Sequence, residues 1–341
     1  MTGKERIQAV FDRKIPDHVP TFEWDIYKGV MKSISDTTDA CEFVLINDID
    51  GIAIWQDRRI KRIDDRSFID EFRVIRAYSD EYPSALAYPV NSASDLASYK
   101  MPDADDQAIY ATLQHAIDIL GKEKAVIGRV RDVFSLPRDL LGFENCLMDF
   151  IIEPDLVSEI MEMSIEYSLK VAKNMKSMGI GIIGCLDDIA DSKGLFMGPE
   201  LYKKQVLPYF KKFITGCHLL GLKVIKHSDG NLNPILDDLI NSGIDGLDPI
   251  DPMGMMDIKS IKHKYGNNLV LKGNIDCVWT LVSGTKEQVE KDIIKCLNEG
   301  MPEGSFIISS SNSIHKSVNP ENYAHMLHCI KKYGAYNNRE D

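Results

Sequence analysis

The chain has 341 residues, 44% apolar and 27% charged, and 52 acids against 40 bases give it a formal charge of −12. A chain of this length buries a core without disulfide or metal staples, and its acidity excludes a general nucleic-acid binder or a basic membrane-surface protein. No run approaches the ~18 apolar residues of a membrane span, residues 1–19 lack the apolar stretch of a signal peptide, and seven cysteines without a CxxC spacing point to a reducing cytoplasm.

In chain order, Glu5–Asp12 reads as a short helix, with Ile7, Val10 and Phe11 at helical spacing and Pro16 soon after. Gly51–Trp55 is a short apolar strand. Arg58–Tyr82 is dense in charge with scattered β-branched residues, which reads as a hairpin insertion or a lid. From Ala125 onward, short apolar runs alternate with amphipathic helices. The runs are Ala125–Val130, Ile180–Leu186, Leu222–Lys226, Ile244–Leu247, Asn268–Leu271 and Phe306–Ile308, rich in Val, Ile and Leu as strands buried on both faces are. The clearest helix is Asp155–Met178, where Leu156, Ile160, Met163, Leu169 and Met175 recur near helical spacing and Asp155 is placed as N-cap after Pro154.

These six runs, Gly51–Trp55 and one weaker strand elsewhere make eight. Strands alternating with helices imply a parallel sheet. No GxGxxG or GxxxxGK[ST] follows a strand, as a doubly wound nucleotide fold would usually show. The pattern therefore predicts a (β/α)8 TIM barrel in one domain, residues 1–341, with residues 1–100 its less regular N-terminal part and insertion.

Catalytic groups of such barrels follow the C-terminal ends of the strands. Those positions hold Gln56-Asp57, then Arg129 with Arg131 and Asp132, then Asp187-Asp188. His227-Ser228-Asp229-Gly230-Asn231 comes next, followed by Asp248 with Asp251, Gly273-Asn274-Ile275-Asp276 and Ser309–Ser313 with Asn312. Simpler readings stand beside these. Asp187 and Asp188 suit a helix cap, Asp248-Pro249 and Gly273-Asn274 suit turns, Arg129 suits an ion pair across the barrel, and the serines suit loop hydroxyls bonded to backbone. His227 resists such a reading: in extended backbone it shares a side with Asp229, so imidazole and carboxylate can reach one metal ion or one proton.

The chain resembles the uroporphyrinogen decarboxylase superfamily over nearly its whole length. The resemblance rests on Glu5-Arg6-Ile7 with Ile15-Pro16-Asp17-His18-Val19-Pro20, on Tyr88-Pro89-Val90, on Met101-Pro102-Asp103 and on Asp187-Asp188. Gly198-Pro199-Glu200-Leu201-Tyr202, His227-Ser228-Asp229-Gly230-Asn231, Gly273-Asn274-Ile275-Asp276 and Pro320-Glu321-Asn322-Tyr323 continue it. It implies the same barrel and two candidate chemistries. True decarboxylases of the family carry two arginines in an N-terminal motif that serve the substrate's carboxylates. The matching stretch here, residues 19–27, has no arginine and two acids, Glu23 and Asp25. Asp57 is placed like the family's catalytic aspartate and keeps decarboxylation as the alternative.

The other branch comprises cobalamin-dependent methyltransferases, whose thiol-using members resemble one another in binding zinc through His-x-Cys and a later cysteine. Here Asp229 replaces the first cysteine and Ser309–Ser311 fall near the second, so coenzyme M methylation is not expected. A zinc site of His227 and Asp229, completed by Glu23 or Asp187, remains compatible with N and O ligands. The resemblance thus implies an O-demethylase type of methyltransferase, passing methyl from a small methoxylated or N-methylated compound to Co(I) of a corrinoid protein. His227, Asp229, Asp187 and Asp57 are its catalytic candidates, and Glu23, Trp24, Arg131, Asn231, Asp248, Asn274 and Asn312 its substrate-binding ones. A homodimer is compatible with the family. A third reading is a barrel that binds a corrinoid or tetrapyrrole without chemistry.

Overall fold

A computed structural model describes residues 1–336. The chain opens with helix α1, Gly3–Phe11, capped by Thr2 and Glu5 in a reciprocal capping box. The strands then follow in order. β1 is Gly51–Ile54; β2 Lys61–Arg62, β3 Ser67–Ile69, β4 Ile75–Ala77 and β5 Ser84–Ala87 form a separate antiparallel sheet. β6 Ala125–Val130, β7 Ile182–Leu186, the short hairpin β8 Ala190–Asp191 and β9 Gly194–Leu195, β10 Lys223–His227, β11 Gly246–Asp248, β12 Val270–Ile275 and β13 Phe306–Ser310 complete the set.

Seven strands form one parallel sheet in the order β1-β6-β7-β10-β11-β12-β13, with helices crossing between them. The gap between the two edge strands is filled by an extended N-terminal segment. Thr21 bridges Ile308 in parallel, Ile26 bridges Ile314, and the Asp50 amide donates to the Thr21 carbonyl at 3.0 Å. Residues 20–26 are thus the eighth stave of a (β/α)8 barrel. This is the weak strand the periodicity left unplaced, and its pattern was hidden because it bridges its neighbours at single residues instead of pairing along its length.

One hydrophobic cluster runs from Ile7 to Ile330. The Pro154–Ser177 helix presents Ile160, Met161, Ile165, Val171 and Met175 to it. Its N-cap is Glu153, not Asp155: Pro154 occupies the first helical position, where its missing N–H costs nothing, and pushes Asp155 into the first turn. Other boundaries shift too. β7 begins at Ile182, and β12 runs on to Ile275 beyond the apolar run that marked it.

The charged stretch after β1 folds as the antiparallel insertion. Buried Asp70 ties it together, accepting the Phe72 and Val74 amides at 2.9 Å each and Arg76 Nε at 2.5 Å. Its tip crosses the barrel mouth. The Tyr82 hydroxyl donates to Asp25 Oδ2 at 3.1 Å, and Glu81 Oε1 accepts the Lys316 amide at 2.7 Å. Among the described residues, no helix is long and apolar enough to cross a membrane.

Candidate active site

The barrel interior is polar toward the C-terminal ends of its strands. β10 and β11 run in parallel with His227 opposite Asp248 in register, so both side chains enter the barrel at one level. His227 Nδ1 donates to Asp248 Oδ2. The same oxygen accepts the Trp24 indole N–H at 2.5 Å, while Oδ1 receives the Lys272 ammonium at 2.7 Å. Lys272 Nζ also donates to Ser309 Oγ at 2.9 Å. All the donors Asp248 can use are therefore fixed side chains. Burial raises the Asp248 pKa, but Lys272 and His227 outweigh it and leave the carboxyl below its ordinary range. For His227 burial disfavours the charge, yet the bond to Asp248 and the nearby Asp229 and Asp188 carboxylates raise its pKa.

With Nδ1 committed, Nε2 faces the mouth. It lies 3.7 Å from Asp188 Oδ1 and 3.8 Å from Asp229 Oδ1, and one ligand atom from each of the three residues lies within 4.8 Å of the others. Asp188 Oδ1 also accepts the Asp229 amide at 3.1 Å. Asn312 donates to Asp229 Oδ2 and leaves Oδ1 buried without a partner. Burial, partly offset by His227, pushes the Asp229 pKa up to about 7. One imidazole and two carboxylates, one of them with an orphaned buried oxygen, fit a hard or borderline divalent cation such as zinc. No thiol belongs to the cluster, and all seven cysteines are buried elsewhere.

These groups line a cavity of about 460 Å³. Trp24, Arg131, Asp187, His227, Asp229 and Asn312 all face it, joined by Asp188, Arg138 and Glu71. Arg129 forms the floor, bidentate to Asp25 at 2.8 Å on both oxygens and stacked on Trp55 at 4.8 Å. It has the ion-pair role that was its simpler reading. Asp187 is no helix cap: no helix begins after it, and its carboxyl faces Asp132 and Arg138 instead. Burial and the Asp132 charge hold its carboxyl well above the ordinary range. Behind it, Lys226 is pinned between Asp132 Oδ2 at 2.5 Å and the Asp187 carbonyl at 2.8 Å.

Five sequence candidates lie outside this cavity. Asp248, expected to touch substrate, is buried behind His227, with its oxygens held by His227, Trp24 and Lys272. Glu23 accepts the Ser310 amide at 3.0 Å and its hydroxyl at 2.6 Å, and it is not among the residues whose ligand atoms gather at His227. The Asp57 carboxylate receives the Thr112 amide at 3.0 Å beside a neighbouring recess. Asn231 Oδ1 accepts the Asn233 amide, and Asn274 Nδ2 donates to the Ile250 carbonyl on the helical side of the barrel. Asn after a strand bonds readily to nearby backbone, as Asn231 does, while Asp57 and Asn274 are taken up by backbone groups of other segments. Arg138 and Glu71 gave no strand-end signal, since one lies in a helix and the other in the insertion. Lys272 and Lys226 carry one, as charges inside apolar strands.

Comparison with known proteins matches residues 75–333 to the uroporphyrinogen decarboxylase (URO-D) family model. The methylcobamide:CoM methyltransferase MtbA of Methanosarcina mazei is 28% identical over 260 residues, spanning 74% of this chain and 72% of that protein. The uroporphyrinogen decarboxylase of Geobacter sulfurreducens is 24% identical over 255 residues, 72% of each chain. Among solved structures, a methyltransferase from Methanosarcina mazei superposes with a TM-score of 0.72 over 98% of this chain and 99% of that one, at 16% identity, which shows a shared fold.

Proposed function

The chain belongs to the uroporphyrinogen decarboxylase family, and within it we propose that it is a corrinoid-dependent methyltransferase. It takes a methyl group from a small methoxylated or N-methylated compound and delivers it to Co(I) of a corrinoid protein. The observation that carries this reading is the Nε2 of His227, oriented from behind by Asp248 and facing Asp188 and Asp229 in a thiol-free cavity. Relatives named as methylcobamide methyltransferases support the corrinoid partner. The cavity volume is that of a small-molecule site, which supports a small donor over a tetrapyrrole.

The methyl group leaves as a cation equivalent to the cobalt nucleophile, and the bonding pair stays on the departing oxygen or nitrogen. That atom needs a proton or a cation as the bond breaks. Zinc, held by His227 Nε2, Asp188 and Asp229, would supply Lewis acidity there. The chain's own groups do the rest. Asp248, locked by Lys272 and Trp24, keeps the Nδ1 proton of His227 and so aims the Nε2 lone pair at the cavity. Asn312 turns the free oxygen of Asp229 toward the same point, and the Tyr82 tip covers the mouth against water.

The test is to incubate the protein with zinc, Co(I) cobalamin and a panel of aryl methyl ethers, methylamines and betaines, following the corrinoid spectrum. Donor-dependent formation of methylcobalamin is expected. No spectral change, even with a corrinoid protein added, would sink the reading, and turnover of uroporphyrinogen would then establish decarboxylation. Metal analysis of the purified protein is expected to find one zinc equivalent per chain, lost in His227→Ala.

A further inference from the structure

Native proteins leave few buried polar atoms unpaired. In this molecule the residues lining the His227 cavity hold several such atoms: Gln56 Oε1, Glu71 Oε2, Arg129 Nε, Ser135 Oγ and Asp229 Oδ1. Their concentration in one wall marks donors and acceptors kept for a polar ligand.

The arginines of that wall are not equivalent. Arg129 is neutralised by Asp25, Arg131 by Asp139, and Arg76 by Asp70 and Asp139. Arg58 is exposed to solvent, whereas Arg138 is largely buried and unneutralised by a close partner. Its guanidinium makes no hydrogen bond within the described residues; the nearest carboxyl, Asp187 Oδ1, is 3.7 Å away, and Asp139, Asp188 and Asp132 act on it from farther off. It lies over the Phe134 ring at 5.9 Å, with side-chain exposure of 29%. Ser135, three residues earlier on the same helix, is only 2% exposed, and its unpaired hydroxyl belongs to the same wall. A planar fork of free N–H groups beside a free hydroxyl matches a carboxylate.

The distance to the reacting end is short. Asp187 approaches Arg138, and the very next residue, Asp188, approaches His227 Nε2, each at 3.7 Å. Arg138 and His227 thus line one cavity of small-molecule size. We propose that the methyl donor is a carboxylic acid whose carboxylate docks on Arg138 beside Ser135 while its methylated oxygen or nitrogen faces His227. This names the substrate class of the methyltransferase reading and rests on it.

Calorimetric titration of the full chain compares matched pairs: methoxybenzoates with their methoxybenzamides, and N,N-dimethylglycine with its amide. Methylcobalamin formation from Co(I) cobalamin is measured for each compound in parallel. At least one acid is expected to bind about 10- to 100-fold more tightly than its amide, the range of a charge-assisted hydrogen bond. Arg138→Gln should erase that preference by weakening the acid alone, and Arg138→Lys should restore part of it. Should Arg138→Gln not fold, the acid–amide comparison on the unaltered protein decides the matter. Acids and amides that bind equally, or a preference that survives Arg138→Gln, would overturn the proposal. Methylcobalamin formed equally well from acid and amide would do so while leaving the methyltransferase reading standing. A carboxylate preference without methylcobalamin from any donor would overturn both the methyltransferase reading and the carboxylate's role as methyl donor.

Discussion

At the scale of the residue, the site depends on one imidazole and the carboxylate behind it. His227→Ala is expected to lower methyl transfer by at least ~100-fold, the usual contribution of a positioned acid or base, with the far-UV dichroism of the fold retained. Lys272→Met removes the ammonium from Asp248 and leaves a carboxylate buried with fewer partners. Breaking such a buried pair costs on the order of 3–5 kcal/mol, which urea unfolding measures. Glu23 offers a cleaner pH signal. Burial, opposed by Lys272 and Ser310, raises its pKa from 4.5 to about 7. Between those values the unfolded chain has lost this proton and the folded one keeps it, so stability falls as pH rises through that window and levels off above it. Glu23→Gln keeps an acceptor for the Ser310 amide and should flatten that decline, worth on the order of 2–3 kcal/mol between pH 5 and 8. An unchanged pH profile in the variant would contradict the assignment. His227 and Asp229 were legible in the sequence because a strand ended on them. Arg138 was not, because nothing in its helix distinguishes a lysine-like surface arginine from one turned inward.

At the scale of the element, register decides which side chains meet. His227 and Asp248 are 21 residues apart but opposite one another in β10 and β11, a pairing that the alternation of strand and helix fixes only to within a residue or two. Trp24 reaches Asp248 only because β7 carries Gly184 beneath its ring, where a Cβ would lie 2.3 Å from the indole. Gly184→Ala should displace Trp24, destabilise the fold by about 1–3 kcal/mol and shift the tryptophan emission, with activity falling alongside. The insertion sheet is anchored to the barrel's far rim through Tyr82 and Glu81. Tyr82→Phe with Glu81→Ala is expected to speed hydrogen exchange across Ser79–Pro83 and to raise the KM for the donor, while the urea midpoint moves by less than ~1 kcal/mol. The sequence marked this stretch by its charge density, but its fold depends on Asp70 gathering three donors, which no periodicity encodes.

At the scale of the whole molecule, alternating strands and helices made the barrel legible, because seven of its staves are ordinary buried runs. The eighth was not legible, because residues 20–26 hold their place through isolated bridges and through Glu23 and Asp50 side chains bonded to backbone. That stave also sets a schedule. Glu23 and the Ser310 it binds are 287 residues apart, so a ribosome working at about 5–20 residues per second takes roughly 15–60 s to supply the partner. Throughout that interval the nascent chain carries a growing parallel sheet with an unpaired edge, the condition that invites wrong pairing or chaperone capture. The polar floor of the cavity, which hangs on Trp24 in the same stave, is therefore among the first parts synthesised and the last to be assembled.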